Sequence, residues 1–245
     1  MASPVDPPAA VLLDAGGVFV LPDPDRIVGA FARAECSVGR EVLTDAHYRA
    51  AARFGTHLDV EADWAGAWLG YLQTYVAECG VPEAWRLEAH THIDSEFADA
   101  ALWVEPVPES RAGLQALADT GVRLGIVSNA DGMMAERLAG LELCQVGPGV
   151  GVDIECVVDS GAVGIMKPDP RIFHAAVDLL GLPAEEVWYV GDMPAIDVVG
   201  ARRAGLRPFL MDPLGLHLDA DYDRVPSLAA LADLIASGSI PRPPT

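Results

Sequence analysis

The run Ala9-Ala10-Val11-Leu12-Leu13 is wholly apolar, stops at Asp14 and gives way at once to Gly16-Gly17. A run this short, without alternation and closed by glycines, suits a strand buried on both faces of a parallel sheet. The pattern recurs downstream. Val122 to Val127 ends on Ser128-Asn129, Val187 to Val190 ends on Gly191-Asp192, and Ile154 to Val158 and Pro208 to Met211 are further short apolar runs. Helical periodicity fills the intervals: about Pro108 to Asp119 with a stop at Gly121, then Pro170 to Leu180, Ala195 to Ala204 and Leu228 to Ala236. Strands alternating with helices predict an α/β chain whose parallel sheet is covered on both faces. At 245 residues the chain can form one large domain, or a core with a smaller insert.

Residues 23–103 break the alternation. They are helical in pattern and poor in β-branched runs. Thr44 can cap a helix carrying His47, Tyr48, Ala51 and Phe54, while Trp64, Trp68, Tyr71 and Tyr75 fall at i, i+4, i+7 and i+11. The segment reads as a small helical bundle inserted after the first strand, its aromatic stripe expected to be bundle core rather than pocket. The proline-rich ends, Pro4 to Pro8 and Pro241 to Pro244, are expected to fray.

Charge narrows the function. Sixteen Lys and Arg against 36 Asp and Glu give 16 − 36 = −20, a field that repels nucleic acid and anionic membranes. An anionic substrate must therefore be captured by a metal ion or by local donors. Lys167 is the one lysine of the chain. The four cysteines (Cys36, Cys79, Cys144, Cys156) are too scattered for a zinc site or a disulfide framework. No basic leader opens the sequence, and no run approaches the roughly 18 apolar residues of a membrane span. A cytoplasmic location is expected, and a homodimer is compatible with the sequence.

Ligands of such sheets bind beyond the carboxyl ends of the strands. There the chain offers Asp14, the hydroxyl and amide of Ser128-Asn129, and Asp192, with Lys167 in the loop Gly164 to Pro170. Phosphoryl transfer needs an in-line nucleophile, a divalent ion, and donors on the equatorial oxygens. Asp14 can be the nucleophile, and Asp14 with Asp192 can hold Mg²⁺, a hard ion that takes oxygen ligands. Backbone N–H groups around Gly16 and Gly17, the Ser128 hydroxyl and the Lys167 ammonium can bind the transferring oxygens. Each residue also has a bland role: either aspartate can form a turn, and Ser128-Asn129 can cap a helix starting near Asp131.

The four segments together, in this order, resemble the haloacid dehalogenase superfamily across nearly the whole chain. Val11 to Val18 is similar to its first motif, Ile126 to Asn129 to its second, Lys167 to Phe173 (with Val158 to Gly164 upstream) to its third, and Val190 to Ala201 to its fourth. The resemblance implies a Rossmann-like core of residues 1–22 and 104–245, and an all-helical cap of residues 23–103 that closes over the site. It implies Asp14 as nucleophile, Ser128, Asn129, Lys167 and Gly17 around the phosphate, and Asp14, Asp192, Asp197 and the Gly16 carbonyl around Mg²⁺, with Asp197 a direct ligand or a partner through water. The expected reaction is hydrolysis of a small phosphorylated metabolite through an aspartyl-phosphate.

One departure matters. Most phosphatases of the superfamily carry an acid–base aspartate two residues after the nucleophile; here Gly16 stands there. Such help is typically worth about 10²–10⁴-fold, so good leaving groups, aryl or acyl, are expected to be favoured unless a cap residue or water takes over. A catalytically idle binding or regulatory protein is the reading from another class. A dehalogenase would need no metal and leaves Asp192 and Asp197 unexplained, a phosphonatase needs a cap lysine that residues 23–103 lack, and a phosphoglucomutase suffers from Gly16. Gly147 to Gly151 is a loop rather than a dinucleotide fingerprint, Met166 before Lys167 excludes a Walker loop, and no G-x-S-x-G is present. His90 and His92 face different sides of a helix. Asp45, Arg49 and Arg53 read as a solvated ion-paired face, with an arginine reaching the substrate as the alternative.

Overall fold

The computed structural model of the chain describes residues 7–56 and 59–238; of the proline-rich ends, only Pro7 and Pro8 fall among them. In chain order the elements are β1 (Ala10–Leu13), β2 (Val20–Pro22), α1 (Pro24–Arg33), α2 (Leu43–Ala51), α3 (Trp64–Glu78), α4 (Arg86–Phe97), β3 (Trp103–Pro106), α5 (Ser110–Asp119), β4 (Arg123–Ser128) and α6 (Met134–Gly140). There follow β5 (Cys144–Val146), β6 (Val152–Ile154), β7 (Cys156–Asp159), α7 (Ser160–Val163), α8 (Pro170–Leu180), β8 (Val187–Gly191), α9 (Val199–Arg203), β9 (Arg207–Met211), β10 (Asp223–Val225) and α10 (Leu228–Ser237).

Six strands make one parallel sheet in the order β10-β9-β8-β1-β4-β7. β1 lies between β4 and β8, with Leu13 opposite Ile126 on one side and Val190 on the other. Chain direction across the sheet therefore reverses at β1, and the crevice at its carboxyl end is where such a sheet binds ligands. Every residue of β1 is buried, and alternate residues serve different layers. Val11 and Leu13 join Leu124, Ile126, Trp188 and Val190 under α5, α6 and α10, whereas Ala10 and Leu12 join Val127, Tyr189 and Phe173 under α8 and α9. The alternation explains why an unbroken apolar run was needed.

The helices α1 to α4 build a third apolar cluster of their own around Ile27, Phe31, Tyr71, Tyr75, Ile93 and Phe97. They connect to the sheet through β2 and β3, which pair antiparallel as a two-stranded ribbon. Asp23 caps α1 by accepting from the Asp25 and Arg26 amides, with Pro24 at the first position. Arg26 and Arg33 of α1 both pair with Glu96 of α4, and these contacts hold its carboxyl below the ordinary range against the opposing effect of burial.

Three local expectations are corrected. Thr44 is no cap: a 3-10 turn, Arg40–Val42, leads directly into α2 at Leu43, placing Thr44 inside the helix. The run Ile154 to Val158 is two strands rather than one. Glu155 breaks it, its amide donating to the Leu124 carbonyl at 2.8 Å while β6 turns to pair with β5 and β7 pairs with β4. The helix drawn from Ala195 begins instead as a π-helical turn, Pro194–Val198, that runs on into α9. By contrast α8 spans Pro170 to Leu180 as its signals specify, capped by Asp169 and stopped by Gly181 in the left-handed conformation. No helix among the described residues is long and apolar enough to cross a membrane.

Candidate active site

Three side chains from three strand ends meet in the crevice. Asp14 follows β1, its amide donating to the Val190 carbonyl at 2.8 Å; Ser128 closes β4 and Asp192 follows β8. All three are buried, Asp14 at 7%, Ser128 at 3% and Asp192 at 4% exposure. Asp197 reaches the same place from the π-helical turn, whose extra residue returns the carboxylate toward β8: its Oδ2 accepts from the Met193 amide at 2.9 Å. Such turns concentrate at functional sites.

Lys167 is fully buried. Its Nζ lies 2.8 Å from Asp14 Oδ2 and 2.7 Å from Asp197 Oδ1, and it donates to the Tyr189 hydroxyl at 2.9 Å. Tyr189 in turn donates to Asp197 Oδ1 at 2.8 Å. Asn129 fixes the lysine loop from outside, its Oδ1 accepting the Lys167 amide at 2.7 Å and its Nδ2 donating to the Lys167 carbonyl at 3.1 Å. The asparagine side chain thus acts as a clamp on Lys167 while it also lines the cavity. Nor does Ser128-Asn129 cap a helix, since α6 begins only at Met134. The segment Asp159 to Gly161 docks the intervening loop: Asp159 accepts from the Met134 amide at 3.1 Å, and Ser160 exchanges hydrogen bonds with both backbone groups of Ala130.

Electrostatics define what the cluster needs. Oxygens of Asp14, Asp192 and Asp197 lie within 4.8 Å of one another, and Lys167 is the ammonium among them, so the formal charge is −3 + 1 = −2 in a largely buried site. Burial is the largest influence on Asp14. Lys167 pulls its pKa down, Asp197 and Asp192 push it up, and the carboxyl stands at about 7 rather than 3.8. Burial depresses Lys167, but Asp14 and Asp197 outweigh it and hold the ammonium above its ordinary value. Buried charges of one sign are costly unless balanced, and three hard oxygen donors with a deficit of two charges fit a divalent oxygen-seeking cation. Asp197 has fewer positions to offer than Asp14 or Asp192. Lys167, Tyr189 and Met193 occupy three of the roughly four lone-pair directions of a carboxylate, which suits a partner acting through water.

The expected donors around Gly16 and Gly17 need correction. The Gly17 amide donates to the Val20 carbonyl at 2.9 Å, so it is used by the turn and not offered to a phosphate. Gly17 has φ +66°, and a Cβ there would stand 2.3 Å from Asp192 Oδ2 and 2.8 Å from His47 Nε2; glycine is required for close approach. Gly16 lines the cavity beside Asp14. A Cβ on it would meet the Trp103 ring at 3.3 Å, so an indole covers the place where an acid–base carboxylate would sit.

Sequence reading missed five contributors. His47 of α2 is 1% exposed, and its Nε2 lies 2.9 Å from Asp192 Oδ2 while Nδ1 lies 2.8 Å from the Tyr71 hydroxyl. A carboxylate can only accept, so in the neutral ring Nε2 carries the proton and Nδ1 accepts from Tyr71, whose hydroxyl burial raises well above its ordinary pKa. The adjacent Tyr48 donates to the Gly17 carbonyl at 2.8 Å. Tyr71, Tyr189 and Trp103 complete the set. The available signal was burial: a histidine on an apolar helix face and a tyrosine in an otherwise apolar strand must each find partners inside.

The site opens into a cavity of about 280 Å³ between the sheet and helices α2 to α4, lined by Trp64, Trp68, Phe97 and Trp103 as well as by the polar cluster. The aromatic stripe of α3 is therefore divided: Tyr71 and Tyr75 are core, as expected, while Trp64 and Trp68 face the cavity. Arg49 pairs with Glu78, and neither it nor Arg53 lines the cavity. Among the described residues the cluster of possible metal ligands is Asp14, Asp192 and Asp197, and it includes neither His90 nor His92.

A sequence model of the haloacid dehalogenase-like hydrolases matches residues 8–205. The chain is 31% identical over 242 residues to a phosphoglycolate phosphatase of Cupriavidus necator, covering 94% of this chain and 96% of that one. It is 39% identical over 106 residues to a phosphoserine phosphatase of Thermus thermophilus, covering 43% of this chain and 40% of that one. Several of the curated relatives are matched over only about half their length. A 2-haloacid dehalogenase of Pseudomonas syringae shares the fold, with a TM-score of 0.53 and 22% identity over 93% of this chain and 98% of that one.

Proposed function

The chain belongs to the haloacid dehalogenase-like hydrolases, and from that premise we propose that it is a Mg²⁺-dependent phosphohydrolase of a small phosphorylated metabolite, with Asp14 as the nucleophile. The observation that carries this reading is the buried charge deficit: three carboxylates sharing one ammonium. Asp14 and Asp192, with the Gly16 carbonyl and with Asp197 through water, would hold the cation, which supplies compensation for the negative charge gathered on the phosphoryl oxygens.

The chain's own residues do the rest. Lys167 holds Asp14 in place and presents positive charge to the transferring group, with Ser128 donating from the neighbouring strand end. An Asp14 carboxylate oxygen attacks phosphorus, and the bond to the leaving oxygen breaks with its electron pair. The leaving oxygen takes its proton from water, because Gly16 has no side chain to give one. A second water then attacks phosphorus of the aspartyl-phosphate, its proton passing to the hydroxide left by the first, and the bond from phosphorus to the Asp14 oxygen breaks, releasing inorganic phosphate and regenerating the Asp14 carboxylate. The names of the phosphoglycolate and phosphoserine phosphatases support this class of chemistry. Haloacid dehalogenation needs no cation and would leave the charge deficit without purpose.

The test compares wild type with Asp14→Asn on phosphate esters and haloacids, in Mg²⁺ or in EDTA. Metal-dependent phosphate release and a beryllofluoride adduct at Asp14, both lost in the variant, are expected. Halide release indifferent to EDTA would assign the dehalogenase reaction instead, and silence on every substrate would leave a binding protein.

A further inference from the structure

Resting on the phosphohydrolase reading, we infer that the leaving group of the substrate is an uncharged, apolar organic group about the size of one aromatic ring, seated between Trp103 and the cap tryptophans. Away from the carboxylate cluster the cavity wall consists mainly of Trp64, Trp68, Phe97, Trp103, Met134 and Ile196. These residues come from α3, α4, β3, α6 and the turn after β8, so the apolar surface wraps the space rather than forming one stripe. The rings also brace one another. Trp68 stacks on Tyr71 at 4.9 Å and 12°, Phe97 meets Trp68 edge-on at 5.9 Å, and Trp103 meets Phe97 at 6.0 Å. A wall held in this way loses little freedom when a ligand arrives.

The cationic groups of the cavity point the same way. Apart from Lys167, the wall carries one guanidinium, Arg137, and Asp131 holds it in a bidentate pair at 2.7 and 2.6 Å. A substrate carboxylate, as phosphoglycolate or phosphoserine would bring, must compete with Asp131 or be desolvated against indole and phenyl faces. The Gly16 notch adds the third observation. Where an acid could assist a poor polar leaving group, the Trp103 ring stands at 3.3 Å from the position a Cβ would take. An acid's place has become part of an apolar wall.

The experiment isolates recognition from leaving ability by comparing benzyl phosphate with 2-phosphoglycolate and glycerol phosphate, all esters of alkyl alcohols. With Mg²⁺, kcat/KM for benzyl phosphate should exceed the other two by about tenfold to two-hundredfold, the range one apolar contact gives in a fitted pocket. Benzylphosphonate, which cannot be hydrolysed, should bind more tightly than methylphosphonate by a similar factor and quench tryptophan fluorescence. Trp103→Leu and Trp64→Leu should each raise KM for benzyl phosphate by a larger factor than KM for 2-phosphoglycolate; two variants guard against one failing to fold. Equal efficiency on all three esters, or equal affinity for both phosphonates, overturns the apolar pocket and leaves phosphohydrolysis standing. Hydrolysis of none of them by a protein that still prefers benzylphosphonate overturns the enzymatic reading and leaves the pocket.

Discussion

Replacing Lys167 with methionine tests the charge balance at its centre. Methionine keeps an unbranched apolar stem and deletes the ammonium, so packing changes little while the formal charge of the cluster goes from −2 to −3. Asp14 Oδ2 and Asp197 Oδ1 lose partners at 2.8 and 2.7 Å, whereas Tyr189 keeps its bond to Asp197. Removing one member of a fully buried ion pair costs about 3–5 kcal/mol, a large part of the roughly 5–15 kcal/mol that stabilises a typical domain. Urea unfolding at pH 7, followed by tryptophan fluorescence, measures it. In EDTA the variant should lose about 3–5 kcal/mol. Mg²⁺ at a hundred times its Kd should add about 2.7 kcal/mol to the folded state, and the variant should reach that gain at lower Mg²⁺ because no ammonium competes. Activity should fall by about 10²–10³-fold. A variant within about 1 kcal/mol of wild type in EDTA, or one whose stability is indifferent to Mg²⁺, refutes the argument.

Three further outcomes follow from the same geometry. With Gly16 in place of an acid, alkyl phosphates should turn over about 10²–10⁴-fold more slowly than aryl phosphates; rates independent of leaving-group pKa, with chemistry limiting, would contradict this. His47→Leu strips Asp192 Oδ2 of its imidazole partner at 2.9 Å, and Mg²⁺ affinity, read from the rise of Tm on titration, should weaken about 10–100-fold. An unchanged titration midpoint would show that the contact is idle. Asp212 accepts from the Leu216 and His217 amides and from Arg224, which hold its carboxyl below 3.8 although burial acts the other way. Its stabilisation is present above that ordinary value and lost as pH falls through the lower folded one. Asp212→Asn should therefore cost about 1–3 kcal/mol at pH 7, a deficit that shrinks in acid.

The sheet was legible because β1, β4, β8 and β9 are buried on both faces, and only continuous apolar runs serve such strands. Helix α8 was legible to the residue because Asp169-Pro170 and Gly181 mark its ends. The division at Glu155 was not, since one backbone bond, from its amide to the Leu124 carbonyl, marks it, and such a bond leaves no trace in periodicity. Asp14, Asp192, Asp197 and Lys167 could be assembled from strand ends and motif order. His47 could not. Its partner is 145 residues away, and nothing local distinguishes a histidine that holds a carboxylate from one that fills a bundle. Gly17 shows the complementary difficulty: sequence placed its amide near the phosphate, but a hydrogen bond to Val20 has already spent that donor.

The ribbon of β2 and β3 has a consequence for how the enzyme cycles. It carries both covalent crossings to the helical segment, and Trp103 sits on it, while His47 and Tyr48 ride beyond it and grip Asp192 and Gly17 on the sheet side. Were the helical segment to swing on this ribbon, the motion would release both grips and lift the indole from Gly16 in the same stroke. Entry and assembly of the reactive constellation would then be one event, and solvent reaching Asp14 through such an opening would meet a site whose carboxylate at 192 had lost its imidazole. The protein would guard its nucleophile by being incomplete whenever it is accessible.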